Sequence, residues 1–205
     1  MSHSFLALVR LLSAVVVAGA LGACRAAPLT IGIETGSSIG TAPRRALTPF
    51  RSEVIDAHKQ IYDTSCIPSS VEMVLKLLGR VPTDYYELQE AWKNKTDGNF
   101  RDFDNRTIAG VTFHQRFSLP RNREFPLSQL FDAIRKELQA GRYVIVGLAI
   151  GDGWHNWVIY DESLDGEFIA VTKLGKETAE LRQVKKLIRA MEGTDIGVYE
   201  YMRHE

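Results

Sequence analysis

The sequence predicts an α+β fold, with a helical N-terminal part packed on a small antiparallel sheet. Two observations predict it. Apolar residues recur at helical spacing in the first half of the domain, and strand-like apolar runs separated by glycine turns fill the second half. The chain has 205 residues, 25 basic and 25 acidic, with 45% hydrophobic and 24% charged. That balance suits one globular domain of about 150 residues plus an extension. Zero net charge argues against a nucleic-acid binder held by phosphate contacts.

The extension comes first. MSHSFLALVRLLSAVVVAGALGAC holds Arg10 and then an apolar run from Leu11 to Ala23. The run is shorter than the about 20 residues that span a membrane, so residues 1–23 read as a signal peptide. It ends in Leu21-Gly22-Ala23-Cys24, which resembles the bacterial lipobox. The resemblance implies lipidation of Cys24 after cleavage; ordinary cleavage near Ala23 is the alternative. Arg25 stands where an Asp would signal inner-membrane retention, which by resemblance favours the outer membrane. The expected location is the cell envelope, at the outer membrane or in the periplasm; otherwise the protein is secreted. Residues 24–50 are rich in Gly, Ser, Thr, Ala and Pro and read as a flexible tether, leaving 51–205 as the domain.

Within the domain, Glu53 to Gln60 reads as a short turn or helix. Asp63, Thr64 and Ser65 are cap-type residues, and Val71, Val74, Leu75 and Leu78 follow at helical spacing, so a helix is expected from Cys66 to Leu78, stopped by Gly79. A second helix is expected over Asp84 to Lys93, then a polar, turn-rich stretch over 94–110 and a strand over Val111 to Phe117. Leu127 to Gln139 is a strongly amphipathic helix. Tyr143 to Ile150 (YVIVGLAI) reads as a buried strand, Trp154 to Tyr160 as the next, and Phe168 to Thr172 as its return. Glu177 to Met191 is expected to be helical and Asp195 to Met202 to close as a strand. Helices before an antiparallel sheet imply helices on one side of it.

Two cysteines are present. If Cys24 carries lipid, Cys66 has no partner in an exported chain, where cysteines normally pair. Pairing with Cys24, or burial as an inert small hydrophobe, are the structural alternatives. A thiol at a helix N-terminus faces orphan N–H groups and the helix dipole, so its pKa should fall. His155, at the start of a strand, is placed to take the thiol proton. Gln60, six residues before Cys66, can offer its amide to an oxyanion beside the Cys66 N–H. The histidines show no metal-ligand spacing, so no metal and no cofactor is expected.

Gln60, Cys66-Ile67-Pro68-Ser69 opening a helix, and His155-Asn156-Trp157-Val158-Ile159 opening a strand resemble the papain-like cysteine peptidases. The closest branch is the double-glycine (bacteriocin-processing) peptidases. The resemblance covers about residues 54 to 202 and implies a papain-like fold, with Cys66 as nucleophile, His155 as base and Gln60 as oxyanion donor. Two departures stand out. Ile67 replaces the usual glycine after the nucleophile. The family's Asp or Asn, which orients the histidine from the returning strand, falls on Val171, Thr172 and Lys173. Thr172 could accept from the ring, as could Asp152 or a residue elsewhere, or the pair could act without an orienting acid. Asp161 lies six residues along the strand from His155, roughly 20 Å away, and is too far. The expected function is an exported cysteine peptidase or thiol amide hydrolase acting on a peptide or protein substrate. The alternatives are a papain-like deamidase or acyltransferase, a cell-wall peptide amidase, or an inactive lipid-anchored binding module. The only membrane contact expected is the lipid anchor, and any role in peptide export needs separate export machinery.

Overall fold

The computed structural model describes residues 50–202, except Asp152 and Lys176. The expected signal peptide, Cys24 and the expected tether up to residue 49 lie outside the described residues, as does Asp152. Three helices come first, α1 (Ser52–Ala57), α2 (Cys66–Leu77) and α3 (Glu87–Glu90). A 3-10 turn, Phe100–Phe103, leads into β1 (Arg106–Ile108) and β2 (Val111–Arg116). Then follow α4 (Leu127–Gln139), β3 (Val144–Ile150), β4 (Gly153–Glu162), β5 (Phe168–Leu174), β6 (Glu177–Leu181), α5 (Val184–Ala190) and β7 (Ile196–Tyr201). The strands form one open sheet of seven, in the order β1-β2-β7-β3-β4-β5-β6, and each neighbouring pair is antiparallel. The fold is α+β, as expected, and Cys66 is the first residue of α2.

Strand alternation divides the core between two layers. Phe113, Tyr143, Ile145, Val158, Val171 and Tyr199 face α1, α2 and α3, against Val54, Val71, Val74 and Leu88. Val144, Val146, Leu148, Ile159, Ala170 and Ile196 face the other way, against Leu130 and Ile134 of α4 and Val184 and Ile188 of α5. Helices therefore cover both faces, which corrects the expectation of one. The cause is legible in β3, whose run VIVGLAI has apolar residues on both faces and so needs cover on both.

Other boundaries differ as well. The expected helix over Glu177 to Met191 begins as β6, paired residue by residue with β5 (Thr172↔Ala179, Leu174↔Glu177). The expected helix over Asp84 to Lys93 has only four α-helical residues, because Glu72 of α2 accepts from the N–H groups of Leu88 and Gln89 and fixes the start there. β1 was not expected; it is a three-residue edge strand whose cross-strand tie is a Thr107–Thr112 hydroxyl bond of 2.8 Å.

Gly197 is the second residue of β7, where an added Cβ would lie 2.2 Å from the Phe100 ring. Phe100 is buried, so the ring has little room to retreat. Gly197→Ala is expected to cost about 2–3 kcal/mol in urea unfolding through overpacking. A wild-type midpoint would show that Phe100 can move aside.

Candidate active site

The turn before α2 is held from inside. Ser65 is fully buried, and its N–H donates to Tyr62 O at 3.1 Å. Its side chain makes no capping bond to the helix. Ser69 N–H donates to Ser65 O at 2.9 Å, and Pro68 has no N–H. The first-turn N–H groups of Cys66 and Ile67 are thereby left for the cleft. Both of them, and the backbone N–H of Asn156 on β4, favour the Cys66 thiolate. Burial of the sulfur acts against them and prevails, so the Cys66 pKa lies above its ordinary value of 9.0. The expected fall does not occur: the helix terminus contributes in the expected direction, but desolvation outweighs it.

His155 is the third residue of β4. Its Nε2 lies 2.8 Å from Thr172 Oγ1, and that hydroxyl donates to Asn156 O at 3.0 Å. Thr172 has one hydrogen to give and gives it to the carbonyl, so it accepts from the ring. Nε2 therefore carries the proton, and Nδ1 of the neutral ring keeps a free lone pair. Register explains the meeting. β5 pairs with β4 from Val158↔Val171 onward, so Thr172 is the first residue past that ladder, where its hydroxyl reaches the Asn156 carbonyl. Asp161 pairs with Ile169 at the other end and plays no part here. Burial lowers the His155 pKa, which keeps the ring neutral at pH 7.

Cys66 and His155 line one cleft of about 370 Å³, together with Asn156, Trp154, Arg121 and Asp195. Trp154 is 54% exposed at the mouth. The Arg121 guanidinium sits 4.2 Å from the centre of its ring and 3.6 Å from the Asp195 carboxylate, which Gln115 also contacts. Phe100 and Gly197 also line the cleft. Ile67 lines it too and packs on the core.

Gln60 is not brought to this cleft. Its amide donates to Tyr62 O at 3.0 Å and Asp63 O at 3.1 Å, both in its own loop. Among the described residues no direct hydrogen bond joins the Cys66 thiol to the His155 ring. Resting hydrogen bonds at catalytic pairs are often long and tighten only with substrate. Sequence reading missed Asn156, Arg121 and Asp195. Arg121 and Asp195 belong to segments more than seventy residues apart, and no local pattern links them. Searches against protein-family models, curated proteins and solved structures gave no match to this chain.

Proposed function

We propose that this domain is a thiol amide hydrolase, most simply a cysteine peptidase, built as a papain-like fold. The observation that carries the reading is the shared cleft, in which His155 is held through Nε2 by Thr172 and so keeps Nδ1 free as a base. In this reading His155 takes the Cys66 proton as the sulfur attacks an amide carbonyl. The imidazolium then returns the proton to the leaving amine, and water, activated by the same ring, releases the acyl group. The Cys66 N–H is free to hold the oxyanion. Gln60 can join it only by giving up one of its two loop carbonyls.

A second reading, an inactive binding module, is favoured by the raised Cys66 pKa and the missing thiol–ring bond. Incubation with a proteome-derived peptide library, read by mass spectrometry, separates the readings. New N-termini, absent with Cys66→Ala, support a peptidase. A gain of about one mass unit at glutamine indicates a deamidase, and joining to an added amine indicates an acyltransferase. No Cys66-dependent product sinks the enzyme reading. We also propose export and anchoring through Cys24. A lipid-sized mass on Cys24 in the same preparation supports the anchor, and an unmodified Cys24 refutes it.

A further inference from the structure

A buried polar network lies directly behind the candidate nucleophile, and one side chain is its hub. Gln89 on α3 is fully buried, and its amide has four partners within hydrogen-bonding distance. Nε2 donates to Glu72 Oε2 at 2.7 Å and to Lys59 O at 3.0 Å. Oε1 lies 2.8 Å from the Ile61 N–H and 2.8 Å from the Ser65 hydroxyl. Glu72, also fully buried, is oriented in turn by the Leu88 and Gln89 N–H groups at 2.9 and 3.0 Å. The network ties α2 and α3 to three points on the loop that delivers Cys66.

Ser65 has a further significance. It occupies the cap position of α2, where a serine oxygen ordinarily accepts from the second or third N–H of the helix. The third helical residue here is Pro68, which has no N–H, so the donor open to a cap is Ile67. Ser65 does not take it. Its oxygen instead accepts from the Tyr62 N–H at 3.3 Å, and its one hydrogen is shared between Gln89 Oε1 and Tyr62 O, each 2.8 Å away.

We propose that Gln89 is a positioning residue for Cys66: by holding the Ser65 hydroxyl together with the Tyr62 backbone, it keeps α2 uncapped and the Ile67 N–H free for the sulfur. The inference goes beyond the hydrolase reading, because it concerns thiol reactivity and needs neither a substrate nor His155.

The test is the rate of iodoacetamide alkylation of Cys66 in the full chain at pH 7, read on the Cys66 peptide by mass spectrometry. Gln89→Met keeps the side-chain length and removes all four bonds. Ser65, then held by the Tyr62 backbone alone, can turn to cap α2, and alkylation is expected to fall about tenfold, the equivalent of one hydrogen bond to a charged acceptor. Adding Ser65→Ala removes the competing cap. The rate should return to within about twofold of native while the melting temperature stays low. A merely structural role for Gln89 predicts low stability in both variants with no such recovery, and that result overturns the proposal. Should Gln89→Met fail to fold, Ser65→Ala alone decides. A rate within about twofold of native supports the proposal, and any larger change overturns it, since it would mean that Ser65 already acts on the helix end.

Discussion

His155→Ala is expected to slow Cys66-dependent turnover about a hundred- to ten-thousandfold, the usual weight of a general base. The loss should be large because the thiol does not ionise by itself near pH 7. Burial holds its pKa above 9.0 despite three backbone N–H groups that favour the thiolate. A neutral imidazole is needed to take the proton, and burial keeps His155 neutral. The sign of each shift sets the pH profile. Activity should rise as pH increases through the His155 pKa, which lies below 6.5, and hold until Cys66 ionises above 9.0. His155→Ala should abolish the acid limb and leave a single rise toward high pH. Thr172→Val, nearly isosteric at a buried site, removes the acceptor for Nε2–H and the donor to Asn156 O. About a tenfold fall in kcat with KM unchanged is expected, the scale of one hydrogen bond, with recovery in Thr172→Ser. A wild-type kcat in Thr172→Val would remove Thr172 from the mechanism.

Thr172 also shows what a single sequence can and cannot reveal. The resemblance to papain-like peptidases pointed to a window over Val171, Thr172 and Lys173, which holds neither Asp nor Asn. Only the geometry shows that the Thr172 hydroxyl is directed by the Asn156 carbonyl and can accept from the ring. The helix opening at Cys66 was readable from Asp63-Thr64-Ser65 and the apolar spacing behind them. The role of Ser65 was not, because a cap-type residue that turns away from its helix looks the same in sequence as one that caps it. Gln60 shows the reverse: a motif position was legible, while the Tyr62 and Asp63 carbonyls that occupy its amide were not. β6 was read as helix because Glu-Thr-Ala-Glu-Leu is rich in helix formers. Pairing with β5 overrides that local preference, as tertiary context often does for short half-exposed segments. Gln89 and Glu72 carry no motif at all, since their importance lies in contacts between separate elements.

The largest effect expected on stability comes from His58. It is fully buried. Its Nδ1 is 3.0 Å from Lys76 Nζ and its Nε2 is 3.0 Å from Ser69 Oγ. The ammonium can only donate, so Nδ1 accepts and Nε2–H donates to Ser69. A second proton has no acceptor to face. Burial first, and then the charge of Lys76, push the His58 pKa from 6.5 down to about 3. Lys76 is itself lowered to about 8, mainly by burial, so it is charged throughout the acid range. Because the folded pKa is the lower one, the unfolded chain takes up the proton first as pH falls. Stability is therefore complete above about 6.5 and is lost progressively toward about 3. The full difference is on the order of 4–5 kcal/mol, a large share of the stability of a domain this size. Between pH 6.5 and about 5 most carboxylates remain ionised, so the slope of unfolding free energy there should approach about 1.4 kcal/mol per pH unit from His58. The depressed pKa of His155 adds in the same direction. Urea titrations at half-unit pH steps measure the slope, and His58→Gln should flatten most of it. An equal slope in His58→Gln and wild type would show that the proton enters elsewhere, and that the His58–Lys76 contact does not set the acid limit of the fold.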